Sequence, residues 1–492
     1  MKTKIKYIVA LSLGTLLYTS CQRDLLSPTP QTSVSDASSF STLGRIQSQV
    51  LSLYSAMKSG NFYGGRYMIY GDIKAENFIN ELSNLVTGSD VWNENPTNSA
   101  TGVLGLWSSA YYTINCCNVF IDGMNSGGTT VAGATLGANY VAEAKLLRAL
   151  CYYSLLQYYA RPFADGAGSK PGVPLRLTAI KGTGFSNMAR STVAQVYTQI
   201  IQDLNDAETG LPLTYSTAVN NTTRAHRNTA IALKTRVYLS MQNYAGVTTE
   251  ANKIVSATAP FTATTGVAHA LQANIATVFT NYTTTESIFS MPFTTTAGDY
   301  PGTQNGLAYY FSPSAANGGI GNGEYSLNAT GVIADAKWTA ADKRRTFIKQ
   351  SGSGASLKNW LIKYAAPSPY TDYAPVIRYS EVLLNLAEAK VRTSNTVDAQ
   401  AVALLNAVRN RSDATTTYTV ASFATATDLI NAILQERNIE FLGEGIRNND
   451  LMRLMLTVPA KGSAPSKAAS DVGYIWPISA NELALNTLCT DN

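Results

Sequence analysis

Residues 375–390 read PVIRYSEVLLNLAEAK, residues 401–413 AVALLNAVRNRSD, and residues 429–454 LINAILQERNIEFLGEGIRNNDLMRL. In the first block Tyr379, Val382, Leu383 and Leu386 recur at the spacing of one helix face, while Glu381, Asn385, Glu388 and Arg392 take another. The second block repeats this with Ala401, Leu404, Leu405 and Val408. The third does so with Ile430, Ile433, Leu434 and Phe441, and Gly443 and Gly445 follow as helix breaks. Only 14% of the chain is charged, yet charge is dense here. Glu436, Glu440 and Glu444 succeed one another at intervals of four, which repels on one helix face unless cations answer. Arg437, Arg447 and Arg453 are near enough in sequence to answer them. The expectation is a helical unit closed by a carboxylate–guanidinium network.

Outward from this stretch, the 492 residues suffice for one large unit, and 45% hydrophobic content can fill a sizeable core. Twenty-eight Tyr, 14 Phe and 5 Trp among frequent Thr, Ser, Asn and Gly suit an extracytoplasmic protein. Residues 1–20 carry Lys2, Lys4 and Lys6 before an apolar run from Ile8 to Leu17, which is too short to span a bilayer and reads as a secretory signal. Tyr18-Thr19-Ser20-Cys21 resembles a bacterial lipobox, so Cys21 is the expected lipidation site, with Tyr18 in place of the usual Leu. Removing the three leader lysines lowers the net charge from +5 to +2, which gives no reason to expect nucleic acid or an anionic membrane surface. The Pro- and Ser-rich stretch after Cys21 reads as a tether, and the first helix is expected over 41–58.

The middle of the chain repeats one theme. Residues 105–124, 140–159 and 191–208 are amphipathic at helical period, and 229–244 and 248–256 continue the series. Together with the helices at 41–58 and 378–411 they make roughly four helix pairs. The expected fold is mostly α: a tetratricopeptide-like helix-pair scaffold in one globular unit, with a loop-rich, small-strand ligand-binding region. Across 260–375 Thr, Gly, Ser, Asn and Tyr dominate, helical period fades, SIFSMPF reads as a small strand and GGIGNG (318–323) as loop, and the loops at 60–100 and 290–375 are expected to build the ligand surface. A long irregular stretch in a compact protein is usually functional.

The segments RYSEVLLNLAEAK, LLNAVRNRS and ERNIEFLGEGIRNNDLMR resemble the C-terminal signature of the SusD/RagB family. AEAKLLRALCYYSLLQYYARPF, ARSTVAQVYTQIIQDLNDAETGLP, RNTAIALKTRVYLSMQNY, ESIFSMPF and GYIWPISANELALN extend the resemblance over most of the mature chain. Ala160–Arg161 stands where a Gly is common after the aromatic pair. The resemblance implies a surface lipoprotein of the Bacteroidetes, anchored to the outer membrane through lipid, that captures nutrients for a SusC-like TonB-dependent transporter. Asp24, soon after Cys21, is compatible with the export signals of such lipoproteins. Within the family the implied ligand is a glycan, or an oligopeptide on the RagB branch. The division it implies is a signal peptide at 1–20, an N-terminal helical region at 21–275 and a C-terminal region at 276–492.

Other chemistry finds little support in the residues. His226 and His269 are far apart with no ligand-like neighbours and read as surface or loop histidines. Cys116, Cys117, Cys151 and Cys489 have no CxxC spacing and read as buried free thiols, with a Cys151 pairing left open. No GxxxxGK[ST] or GxSxG occurs, so no cofactor, metal or catalytic residue is assigned. A surface glycoside hydrolase using two of Glu436, Glu440, Glu444 and Asp450 is the rival reading, since glycosidases need paired carboxylates. Adjacent arginines, however, would keep a general acid ionised. A tetratricopeptide-type adaptor without a small ligand is a further alternative.

Loop aromatics are the better lead, because sugar C–H faces pack on rings while hydroxyls need amide and charged partners. Trp92 stands beside Asn93 and Asn95, with Arg66 and Asp72 upstream. Tyr309, Tyr310 and Tyr325 lie in the Gly- and Asn-rich stretch 300–325. These eight residues are the expected ligand site, with Trp92 and the Tyr309–Tyr310 pair as exposed stacking rings. Trp107 and Trp338 read as core or scaffold, and Trp360 as either.

Overall fold

The computed structural model describes residues 38–184 and 186–492. Its frame is helical. Among the described residues the α-helices of seven residues or more are, in chain order, α1 (Leu43–Met57), α2 (Arg66–Ile73), α3 (Thr101–Gly123), α4 (Ala134–Tyr159), α5 (Val193–Gly210), α6 (Arg227–Ser240), α7 (Tyr244–Ala251), α8 (Tyr379–Ser394), α9 (Ala399–Ser412), α10 (Ala426–Glu440) and α11 (Arg447–Arg453). Local chemistry sets several boundaries. Thr192 and Gln195 close a reciprocal capping box on α5, and Thr425 with Asp428 does the same for α10. The Asp398 carboxylate caps α9, and Asn395, at φ 51°, turns the chain out of α8. α7 starts four residues before the periodicity predicts, because the Asn243 side chain accepts the Gly246 amide at 2.9 Å and fixes the start there.

The helices pack in sequence order: α3 on α4, α4 on α5, α5 on α6, α6 on α7, α7 on α8, and α8 on α9 and α10. This is the helix-pair array of a tetratricopeptide-like scaffold, in one globular unit. α4 runs through its centre and is buried on nearly every side from Ala142 to Tyr159. Phenols buried on such a helix need partners; Tyr153 meets the Ser240 hydroxyl at 3.0 Å, and three others find carbonyls. Tyr152 donates to Arg176 O at 2.6 Å, Tyr158 to Tyr67 O at 2.7 Å and Tyr159 to Val103 O at 2.6 Å.

Two small antiparallel sheets lie outside the array. β2 (Ser287–Met291) pairs with β6 (Ala374–Arg378). The second sheet has the order β1-β3-β5-β4, from β1 (Phe78–Asn80), β3 (Tyr325–Leu327), β4 (Ile348–Ser351) and β5 (Lys358–Leu361). It draws its edge strand β1 from the N-terminal half, which ties the loops after α2 to those of 294–372. Trp107, Trp338 and Trp360 are all buried. Cys117, Cys151 and Cys489 are buried free thiols, and Cys116 is half-buried and free.

The histidines are not at the surface. His226 and His269 stack on each other at 5.3 Å, and His269 stacks on Tyr379, both rings fully enclosed. Burial holds both below the usual imidazole range, His226 at about 3 and His269 at about 4. Cys21 and the leader lie outside the described residues. Among the described residues no helix is long and apolar enough to cross a membrane.

Candidate ligand-binding site

The charged stretch that looked like a candidate for acid–base chemistry is an interior network, and its partners are not the nearby arginines. Glu440 meets Arg344 at 2.9 Å, Arg378 at 2.8 Å and Arg411 at 2.5 Å, none of them on its own helix. Glu436 meets Arg344 and Arg409, and Glu444 meets Lys363 and Arg378. The neighbours expected to answer these carboxylates point elsewhere: Arg437 to Asp450, Arg447 to Glu76, Arg453 to Glu388 and Asp450. The polar face of α8 is likewise buried, with Glu381 held by Arg236 and Glu388 by Arg453 and Arg392. Burial alone would raise the Glu440 pKa, but Arg411, Arg378 and Arg344 outweigh it and hold it well below the carboxylate range. Asp450 is held at about 2 by Arg437 and Arg453, again against burial. A carboxylate so placed is a poor proton donor at neutral pH.

The loop face is built differently. After α1, residues 59–65 turn back beneath the segment 299–311, and the two touch through glycine. A Cβ on Gly60 would lie 2.1 Å from Pro301 O, and one on Gly65 would lie 1.9 Å from Asn305 O. The Lys58–Asp299 ion pair ties the start of the segment, and the Asn322 amide bonds Tyr309 O at 2.9 Å. Tyr300 is 36% exposed on this segment. Tyr309 meets Tyr370 edge-to-face at 5.5 Å, and each keeps about 8% exposure at the rim. The turn Leu85–Thr87 packs against Thr303–Asn305 and is pinned by Tyr325, whose hydroxyl donates to Thr87 O and accepts from Asn80 Nδ2, both at 3.0 Å. Leu82, Leu85 and Val86 stand exposed beside it. The surface therefore combines accessible aromatic and apolar groups with amides and charges, the mixture a sugar requires.

The structure brings four of the eight expected residues together and separates the others. Arg66, Tyr309, Tyr310 and Tyr325 share this face; Tyr310 stacks on Tyr325 at 6.1 Å, both fully buried beneath Tyr309. Asp72 is on α2 with Arg66, yet it accepts the Gly443 and Gly445 amides, Gly445 at 2.6 Å. Burial raises its pKa to about 7 against those two bonds, so it is an interior latch and not a solvent-facing contact. Trp92 is a correction too. It is only 4% exposed, its Nε1 donates to Phe78 O at 2.7 Å, and a Cβ on Gly462 would touch its indole at 3.3 Å. Asn93 and Asn95 flank it at the surface, while Glu94 between them is buried against Lys74 and Lys461. Tyr70, Gln304, Asn305 and Tyr370 belong to the face and were not singled out. Only Tyr70 had a local signal, one helical turn beyond Arg66.

Residues 30–239 match the family model described as "Starch-binding associating with outer membrane", and residues 349–492 match the "SusD family" model. A SusD superfamily protein of Bacteroides fragilis is 31% identical, with a TM-score of 0.80 over 92% of this chain and 99% of that one. SusD-like protein P25 of Formosa agariphila is 23% identical over 88% of this chain and 87% of its own length. SusD-like protein P38 of the same organism matches over 255 residues at 23% identity, so the chain spans about half (45%) of that relative. Surface glycan-binding protein A of Bacteroides thetaiotaomicron, solved in complex with laminarihexaose, shares the fold at TM-score 0.72 and 18% identity, over 92% of this chain and 99% of its own.

Proposed function

The chain belongs to the SusD/RagB family, and from that membership we propose that it captures oligosaccharides at the outer membrane and passes them to a SusC-like TonB-dependent transporter, without chemistry of its own. The observation that carries the reading is the rimmed loop face, where the exposed Tyr300 and the narrow exposed edges of Tyr309 and Tyr370 lie beside amides on a rigid helical frame. A relative of the same fold was solved with a β-glucan hexasaccharide, which supports a glycan over other ligands. The buried, arginine-clamped carboxylates support a binding role over hydrolysis.

Calorimetric titration against a glycan panel tests this. Each stacked ring contributes about 1–3 kcal/mol by analogy with base stacking, so the Tyr309→Ala/Tyr370→Ala double variant should bind about ten-fold or more weakly. Capture of oligopeptides with no affinity for any glycan would move the protein to the RagB-like reading. Turnover of a glycan by the purified chain would restore the hydrolase.

Anchoring is tested separately. A lipobox cysteine carries several acyl chains, enough for stable membrane attachment. Cys21→Ala should therefore release the protein to the soluble fraction of a membrane preparation. Detergent-dependent retention of that variant would remove the lipid anchor from the reading.

A further inference from the structure

Eight arginines and four lysines are buried among the described residues. Seven of the arginines place a nitrogen 2.5–2.9 Å from a carboxylate, and all four lysines are likewise paired. Arg66 is the exception. It is only 4% exposed and has no carboxylate partner among the described residues. Its Nη1 donates to Asn61 Oδ1 at 3.1 Å and its Nη2 to Gln304 O at a long 3.4 Å, while Nε has no acceptor. The Tyr70 and Tyr310 hydroxyls lie beside the guanidinium and interact with its charge, though neither reaches the geometry of a full hydrogen bond. Asn305 Oδ1, on the neighbouring segment, is also buried and unpartnered.

Buried polar atoms without partners are costly, and a buried cation without an anion more so. Arg66 Nε is a donor and the two phenols beside it can turn their hydroxyls to donate, the groups an oxyanion would need. Above them lies one turn, Thr303–Asn305, whose Thr303 and Gln304 are exposed. The turn meets Arg66 through the single long bond from Gln304 O, and Gly302 at φ 89° precedes it. Resting on the capture reading above, we propose that Arg66, with Tyr70 and Tyr310, receives an oxyanion carried by the glycan, a uronate carboxylate or a sulfate ester, beneath the Thr303–Asn305 turn. The ligand class is thus an acidic oligosaccharide, and Arg66 sets that preference.

Titration of the purified chain with three probes tests it: a uronic-acid oligosaccharide, a sulfated oligosaccharide and neutral laminarihexaose. At least one acidic probe should bind ten-fold or more tightly than the neutral one, and added salt should weaken only the acidic binding. The difference between the two acidic arms identifies the oxyanion. Arg66→Gln should abolish the preference while its melting temperature stays level or rises, because it removes an uncompensated charge. Tyr310→Phe, which deletes only a hydroxyl, should lower acidic affinity without unfolding the site. Equal affinity for all three probes, unchanged in Arg66→Gln, would overturn the oxyanion role and leave glycan capture standing. A marked loss of stability in Arg66→Gln with the acidic preference retained would make Arg66 structural. Binding of none of the probes would overturn this inference together with the capture reading.

Discussion

Glu440→Gln is expected to destabilise the fold by about 3–5 kcal/mol, the cost of removing one partner from a buried ion pair. The variant keeps the size of the side chain, removes its charge and turns one of its two acceptor oxygens into an amide donor facing arginine. Arg344, Arg378 and Arg411 all converge on this carboxylate, and each is buried deeply enough that water cannot replace it. Arg411 would keep Glu286, Arg378 would keep Glu286 and Glu444, and Arg344 would keep Asp342 and Glu436. The remaining carboxylates would then neutralise the cluster less completely, in a medium where charges are poorly screened. An exposed pair supplies the control. Lys181–Asp122 is about half exposed on both sides, so Asp122→Asn should cost about 1 kcal/mol or less. Chemical denaturation of the three proteins checks this, with glycan affinity measured on the folded fraction. A Glu440→Gln curve that overlays the parent would show that the network contributes nothing measurable to stability.

The same cluster shows what a sequence yields and what it withholds. Helical period in 379–454 located α8, α9 and α10, because a buried stripe recurs wherever a helix lies on a core. The density of charge there announced a network. Its wiring was hidden, since spacing along a helix reports neighbours on that helix, whereas Glu440 takes its partners from 344, 378 and 411. The core-facing polar residues Glu381 and Glu388 look solvent-facing in any local window, and only Arg236 and Arg453, brought by tertiary packing, make their burial possible. His226 and His269 are 43 positions apart and read as unrelated, yet the fold stacks them. For the candidate site the stretch 300–325 was informative because Gly and Asn mark loops. Which of its rings reach solvent was not: Tyr309 does at the rim, and Tyr310 and Tyr325 do not. Tyr370 falls within the expected loop surface of 290–375, but nothing local singles it out, for it meets this face where Gly306 lets the two segments approach.

Trp92→Ala is expected to lower stability by about 3–5 kcal/mol, the range for truncating a large buried aromatic side chain, while the folded protein keeps its glycan affinity. In sequence the ring stands in DVWNENPTN, a polar window that reads as an exposed platform. In the fold a short helix, Ser89–Trp92, turns the indole inward. There it packs, together with Ile79 of β1, over the backbone at Gly462, which adopts φ 52° and has no side chain to intrude. Its Nε1 bond to Phe78 O holds that edge strand, and Asn80, two residues on, bonds the Tyr325 hydroxyl of the loop face. Removal therefore leaves a cavity and an unpaired carbonyl and loosens β1. Trp92→Phe should fall between the parent and the alanine variant, since it keeps most of the volume and loses the bond, worth about 0.5–1.5 kcal/mol. Thermal melts of the three proteins, paired with titrations well below each transition, separate the two roles. If Trp92→Ala melted with the parent but no longer bound glycan, the indole would be a contact that opens to ligand, and the face defined by Tyr300, Tyr309 and Tyr370 would have to extend to it.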